Sequence, residues 1–338
     1  MSKQSKSVFG IFAESVGLYF SQLDKFLKYM TFPVLGQILG LGLVFLITYF
    51  YSQNLPKLID KYPNINDFWI LIGISTVIIF PGLAIFCKAF WEFLVAYGAV
   101  NSMFFNLQKS KKVYDFEAHN ELIKRNSLKF IGLWMLFGIF SVIAACPLMW
   151  IICGIFAVYF VLAFQVFTFE PEQSPWGCLK KSLLLIKGHF AQTFSLLIMA
   201  ATLTYFLIPQ IILKGFDYTG ISNLIAGLIM PIVNIIPELN LEAYNLGSVT
   251  HTDYASMIVR STVVQILIQY TLPLRSILWS NWYKELNGNI TQQELPKTKS
   301  GTKKKRPSTK LMEESNKKFS KKKIDDNILK RAMEKDDE

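Results

Sequence analysis

The sequence has little charge, little histidine and little cysteine. Only 17% of its 338 residues are Asp, Glu, Lys or Arg, whereas a soluble globular domain has about 25%. The four cysteines form no C-x-x-C pair, and the three histidines have no metal-ligand spacing. This composition argues against a soluble domain and against a zinc or redox site.

Sequence motifs of the common enzyme classes are also absent. The chain contains no glycine-rich phosphate loop, no H-E-x-x-H and no G-x-S-x-G. We therefore expect a protein that is not an enzyme, with no catalytic residue, no metal and no cofactor.

Long apolar stretches are abundant, and 52% of the residues are hydrophobic. The stretches with very few charges are residues 30–51, 68–86, 130–145, 147–169, 190–213 and 257–279. A helix of about 20 apolar residues crosses a hydrocarbon core of ~30 Å, and it satisfies its own backbone hydrogen bonds without water. The sequence thus predicts an all-α polytopic membrane helix bundle of about six transmembrane helices.

The loops between these stretches differ in charge, which predicts the topology. Lysine and arginine collect before the first span, after the second, after the fourth and after the last, whereas residues 215–256 contain neither. Basic loops remain in the cytoplasm. We therefore expect a multi-pass inner (plasma) membrane protein whose N- and C-termini are both cytoplasmic.

Two apolar regions leave the number of spans open. Residues 68–107 are long enough for two crossings, but two crossings would place a basic loop outside, so one long helix of about 60 Å is favoured. Residues 221–236 are too short for an ordinary span and contain Pro231. They predict a re-entrant or interfacial hairpin on the outer face, with a seventh span as the alternative. Residues 130–169 predict a tight helical hairpin that turns at Pro147.

Three segments have the spacing of amphipathic helices: residues 8–29, 116–129 and 176–194. Each precedes a predicted span, and an apolar stripe opposite a polar face is typical of a helix in the lipid headgroup plane. The recurrence suggests an ancient duplication. The predicted organisation is an N-terminal interfacial helix (1–29), a six-span membrane domain (30–288) and a cytoplasmic tail (289–338).

The tail is rich in lysine, serine and threonine and is predicted to be disordered, because it cannot bury a core. Its basic runs consist of Lys303, Lys304, Lys305, Arg306, Lys321, Lys322 and Lys323. Such runs attract anionic lipids with ~1 kcal/mol per residue close to the membrane. RNA offers the same phosphate chemistry, and a plainly solvated tail is a third interpretation. The expected partners are the lipid bilayer and its anionic lipids, not nucleic acid.

A few polar residues fall within or beside the predicted spans. Lys88 and Glu92 lie one helical turn apart, and they either pair with each other or mark a functional pathway. Arg260 either extends to the interface or contacts an anion. Gln265 and Gln269 follow on the next turns, where they either line the same face or form bonds between helices.

Several prolines fall within or next to apolar segments: Pro209, Pro231, Pro237 and Pro273. They mark either broken helices of the kind that transporters use or ordinary kinks.

Two segments carry a family resemblance. Residues 174–190 (S-P-W-G-C-L-K-K-S-L-L-L-I-K-G-H-F) and 276–288 (S-I-L-W-S-N-W-Y-K-E-L-N-G) resemble recurrent segments of the bacterial YciC-like six-helix membrane family. That family includes the membrane domain fused to some glycerophosphodiester phosphodiesterases. The second segment has Asn281 and Lys284 where the family favours Asp and Arg.

The resemblance implies a six-helix bundle and not a phosphodiesterase. The family's catalytic barrel carries a His-Arg-Gly motif, whereas the three histidines here are followed by Asn120, Phe190 and Thr252. We expect a non-enzymatic bundle that organises the membrane or binds lipid or a protein partner. The alternative is a transporter or channel for a small anion, which predicts a water-filled cavity between the fifth and sixth spans.

Overall fold

The computed structural model describes residues 7–62, 67–234 and 248–288, and every regular element in these ranges is a helix. Within them, six helical segments are long and apolar enough to cross a membrane. The predicted all-α bundle with six spans is confirmed, and the chain is a multi-pass membrane protein. The predicted tail, with its seven basic residues, lies outside the described residues.

The helices follow each other along the chain with few long connections. They are α1 (Val8–Phe20), α2 (Leu23–Lys61), α3 (Phe68–Ser110), α4 (Phe116–Arg125), α5 (Ser127–Ala144), α6 (Trp150–Phe160), α7 (Ala163–Phe169), α8 (Pro175–Ile186), α9 (Phe190–Ala201), α10 (Ile208–Tyr218), α11 (Ile221–Val233), α12 (His251–Tyr270) and α13 (Leu272–Asn287). The six spans are α2, α3, α5, the segment Pro147–Phe169, the segment Phe190–Tyr218, and α12 together with α13.

Helix α3 is one continuous helix of 43 residues, or about 65 Å at 1.5 Å per residue. The prediction of a single long helix instead of two crossings is therefore confirmed. Its first half is almost entirely exposed, whereas the residues from Val95 to Val100 are nearly all buried. The helix thus begins as a lipid-facing span and ends inside the protein.

Helices α2 and α3 approach each other closely at two glycines. A Cβ atom added to Gly40 would lie 2.5 Å from the backbone nitrogen of Phe86, and one added to Gly82 would lie 2.9 Å from the carbonyl oxygen of Gly40. Small residues permit such backbone contact between membrane helices, where dispersion replaces the hydrophobic effect as the attraction.

The third and fourth spans form the predicted hairpin. Helix α5 ends at Ala144, and a short 3-10 turn begins at Pro147, where a missing N–H is tolerated because the first turn has no partner for it. Phe140 and Phe160 face each other across the hairpin, with ring centroids 5.3 Å apart. The turn at Pro147 is confirmed.

Helix α11 is the segment whose number of crossings the sequence left open. It has 13 residues, which is about 20 Å of helix and shorter than a ~30 Å hydrocarbon core. Its buried residues Ala226 and Val233 belong to one apolar cluster with Val259 of α12. Helix α11 is accordingly not one of the six spans. Residues 235–247, which follow it, lie outside the part of the chain that the structure describes.

The apolar stripes of the short helices α1, α4 and α8 face the rest of the chain. The buried stripe of α1 is Ile11, Ser15 and Tyr19, and α8 buries Cys178 and Ile186. The predicted helix over 8–29 is divided, because α1 ends at Phe20 and the remaining residues begin α2. A position in the headgroup plane and the duplication stay predictions.

Helix α4 docks against the second half of α3 through His119, which is completely buried. Its Nδ1 lies 2.6 Å from the hydroxyl of Ser102, and its Nε2 lies 3.3 Å from Nδ2 of Asn106. Removal from water lowers the pKa of His119 to about 4, although the nearby Asp115 carboxylate opposes this shift. The imidazole is therefore neutral at pH 7.

Helix α13 occupies the centre of the bundle, and its polar residues bond to four other helices. Asn281 donates to Glu14 of α1 (3.1 Å), and Trp282 donates to Thr193 of α9 (3.0 Å). Tyr283 donates to Glu170, directly after α7 (2.6 Å). Ser276 and Ser280 donate to the side-chain oxygen of Asn101 on α3. Because buried polar groups must be paired, these bonds specify the position of α13.

Candidate functional site: an arginine-lined cavity

A cavity of about 510 Å³ lies between the spans. Each of the six spans contributes to its wall, through Gln37, Phe90, Trp134, Phe164, Tyr205 and Arg275 in chain order. The volume is within the range of small-molecule sites, about 300–1,000 Å³. A cavity therefore lies between the fifth and sixth spans, but all the other spans line it too, and the water that was predicted to fill it stays a prediction.

Arg275 of α13 supplies the positive charge of this cavity. One guanidinium nitrogen donates to the hydroxyl of Tyr205, and another donates to the backbone carbonyl of Ile268 at 3.1 Å. Its Nε is buried without a partner. None of the lining residues is acidic, and among the described residues no carboxylate forms an ion pair with Arg275. No carboxylate of the described residues therefore neutralises the charge of the guanidinium.

Breaks in two helices create this arrangement. The fifth span is π-helical over Thr202–Leu207, a stretch that contains Tyr205 and directly precedes Pro209. Proline has no N–H for the carbonyl four residues earlier, here that of Tyr205, so a regular helix cannot continue there. The sixth span is interrupted at Thr271, with Pro273 in the first turn of α13. Two of the four prolines, Pro209 and Pro273, therefore lie beside the cavity where the spans depart from a regular α-helix.

Three glutamine amides extend the polar wall. Gln265 and Gln269 both line the cavity, as predicted for a shared face. Gln37, which is buried, donates to the side-chain oxygen of Gln269 at 3.3 Å. The indole N–H of Trp134 is a further buried donor without a partner. The guanidinium, the hydroxyl of Tyr205 and the amides can all donate hydrogen bonds, and no lining residue is acidic, so the cavity favours a ligand that carries negative charge and accepts hydrogen bonds.

Arg260, the arginine that the sequence singled out, lies outside the cavity. Its guanidinium forms an ion pair with Asp217 at 2.6 Å, and both side chains are largely exposed. The two predicted glutamines consequently share their site with Arg275 and not with Arg260. Arg275 and Tyr205 are not among the residues predicted from sequence. An arginine inside the predicted span 257–279 was the available signal for the first of them.

Lys88 and Glu92 do not form the pair that their spacing suggested. Glu92 is bonded to Lys124 of α4 at 2.9 Å. The ammonium of Lys88 lies 5.6 Å from the centre of the Phe32 ring, an arrangement in which the ring face attracts the cation. Neither residue lines the cavity.

Comparisons with known proteins give no further assignment. No protein-family model, no curated protein sequence and no solved structure matches this chain. The resemblance to the YciC-like family therefore stays a prediction from two sequence segments. In the part of the chain that the structure describes, no three His, Cys, Asp or Glu side chains group as metal ligands.

Proposed function

We propose that this membrane protein binds an anionic ligand in the cavity around Arg275. The single observation that carries the proposal is the guanidinium of Arg275 on the sixth span, which lines the cavity and has no carboxylate partner among the described residues. Charge in a membrane span is costly and is retained where it serves a ligand or a pathway. Of the functions considered from the sequence, lipid binding and anion transport are both compatible with such a site.

The test is thermal unfolding of the purified full-length protein in a neutral detergent with inorganic phosphate, acetate or laurate. Dodecanol, which has the chain of laurate without its charge, is the ligand control. We expect at least one anion to raise the unfolding temperature, since binding to the folded state stabilises it.

The matched variants are Arg275→Gln and Arg260→Gln, each of which removes one arginine of the last span. A charge-assisted hydrogen bond contributes about 1.5–3 kcal/mol, so Arg275→Gln is expected to weaken anion binding by about ten- to hundredfold. Arg260→Gln is expected to keep it. If no anion stabilises the protein, or if both variants respond like the wild type, the proposal is wrong.

A small-anion transporter is the second candidate, and the paired breaks in the fifth and sixth spans favour it. Helix breaks beside a binding site allow parts of a span to move separately. Uptake of radiolabelled acetate and inorganic phosphate into proteoliposomes is the measurement. Uptake that Arg275→Gln abolishes and Arg260→Gln leaves intact would support transport, whereas uptake equal to that of empty vesicles would reject it for these anions.

A further inference from the structure

The wall of the cavity divides into a polar and an apolar part. Arg275, Tyr205 and the three glutamines form the polar part. The apolar part consists of aromatic and aliphatic side chains: Phe90, Phe93, Phe164, Leu197 and Leu272. A small hydrophilic anion would use only the first part. A molecule with one charged head and an apolar chain would use both.

The cavity opens to the outside of the bundle, where Phe90, Tyr205 and Gln265 of its wall are exposed. Gln37 and Leu272 are buried at its inner wall. Phe90 and Tyr205, on the second and fifth spans, are 43% and 50% exposed. Next to Tyr205, Phe206 is also exposed. Aromatic rings are typical of membrane spans at the level of the lipid head groups, so these exposed rings favour an opening towards the lipid.

The depth of the opening also fits a lipid. Phe90 lies 22 residues after Phe68 at the beginning of α3, which is about 33 Å along the helix. The hydrocarbon core is ~30 Å thick. If α3 enters the core at Phe68, its Phe90 lies at the opposite boundary, the depth at which lipid head groups meet their acyl chains.

From these observations we infer that the ligand is an anionic lipid that enters the cavity sideways from the bilayer. Its head, a carboxylate or a phosphodiester with a single negative charge, bonds to Arg275 and Tyr205. Its acyl chain lies along the aromatic wall and leaves past Phe90. This inference rests on the proposed anion-binding function and specifies the class of ligand.

The experiment is native mass spectrometry of the full-length protein extracted from bilayers of defined composition. One bilayer contains phosphatidylglycerol in phosphatidylcholine, a second contains oleate in phosphatidylcholine, and a third contains phosphatidylcholine alone. We expect a retained anionic lipid, and the first two arms separate a phosphodiester from a carboxylate head. Retention of phosphatidylcholine to the same extent would overturn the inference.

Two variants test the two halves of the ligand separately. Arg275→Gln removes the contact with the head and is expected to lower retention by about tenfold or more. Ala201→Phe fills the cavity next to the apolar wall while Arg275 stays, and it is expected to lower lipid retention but not stabilisation by inorganic phosphate. Ala191→Phe places the same ring on an exposed position of the same span and is expected to change neither.

The outcomes distinguish the lipid inference from the proposed anion binding on which it rests. Stabilisation by phosphate or acetate without any retained lipid would overturn the lipid inference and leave anion binding intact. Failure of every anion to stabilise the protein would overturn both. If Ala201→Phe does not fold, Ala201→Leu provides a smaller filling of the same wall, and equal lipid retention in that variant and the wild type would count against the inference.

Discussion

The last span consists of two helices in different surroundings. Helix α12 buries only Ala255, Val259 and Val263, whereas α13 buries eleven of its sixteen residues. Yet the buried residues of α13 include Ser276, Ser280 and other polar groups. In a membrane, polar side chains face protein because lipid offers them no partner. The buried part of α13 therefore combines apolar packing with hydrogen-bonded polar groups, and Arg275 lies near the junction of the two helices.

The same contrast divides α3, and the largest expected effect tests it with one substitution at two positions. Phe104, in the second half, is 1% exposed, and Phe80, in the first half, is 63% exposed. Phe104→Ala is expected to cost about 3–5 kcal/mol, because it leaves a cavity in a packed core. Phe80→Ala is expected to change stability by less than about 1 kcal/mol.

Unfolding in detergent micelles, followed by circular dichroism as denaturant is added, measures both variants. Equal losses of stability in the two variants would show that the two halves of α3 are not packed differently, and the contrast between them would be wrong.

The second largest effect is expected from acid, which should weaken the packing of α4 against the second half of α3 through His119. Its pKa is lowered to about 4 in the folded protein, against 6.5 for the free side chain. Between these values the unfolded chain binds more protons than the folded one. The contribution of neutral His119 to the free energy of unfolding is therefore complete above pH 6.5. It is lost as the pH falls towards 4, by about 3 kcal/mol at most.

The check is the unfolding temperature measured from pH 7 to pH 4 for the wild type and for His119→Gln. The variant has no titrating group at this position, so its curve is expected to be flatter. A variant that loses stability as steeply as the wild type would assign the acid sensitivity to other groups.

A smaller effect is expected where the lipid-facing halves of α2 and α3 meet. Gly40→Ala would place a Cβ atom 2.5 Å from the backbone of Phe86, and backbone cannot move aside as a flexible side chain does. We expect a loss of about 1–3 kcal/mol from overpacking. Gly42→Ala, two residues away and with no atom within 4 Å of the added Cβ, is the matched control. If both behave alike in the unfolding experiment, the close approach does not hold the two spans together.

The smallest effect is expected at the exposed ion pair between Arg260 and Asp217. Solvent-exposed pairs contribute about 0.2–1 kcal/mol, because water competes for both charges. Arg260→Gln should therefore lower the free energy of unfolding by less than about 1 kcal/mol, and added salt should reduce the difference further. A loss of several kcal/mol would show that this part of the protein is as tightly packed as α13.

Local patterns in the sequence predicted much of the fold. The lengths of the apolar stretches gave six spans, the basic loop after α3 gave one long helix, and Cys146-Pro147 gave the hairpin. The amphipathic segments were located, but their interpretation was incomplete. An apolar stripe is satisfied equally well by lipid or by protein, and Ile11 and Tyr19 of α1 are buried against protein.

The candidate site was predicted only in part, because its residues meet from distant places in the chain. Gln265 and Gln269 share a face through helical spacing alone, which the sequence shows directly. Gln37 is hydrogen-bonded to Gln269, which is 232 residues away in the chain. Glu92 is bonded to Lys124, 32 residues away, and not to its neighbour Lys88. The helical repeat of the sequence does not predict contacts between residues so far apart in the chain.

The sequence by itself determined that this chain is a helical membrane protein, since apolar stretches of about 20 residues form helices that satisfy both the lipid and their own backbone hydrogen bonds. It also located the spans, although α2 and the last span extend six to ten residues beyond each end of the predicted stretches. Only the tertiary structure decided which polar groups face each other, and hence that Arg275, not Arg260, faces the cavity. The physical reason is that insertion depends on the composition of each segment, whereas a binding site depends on the rotation and position of every helix against its neighbours.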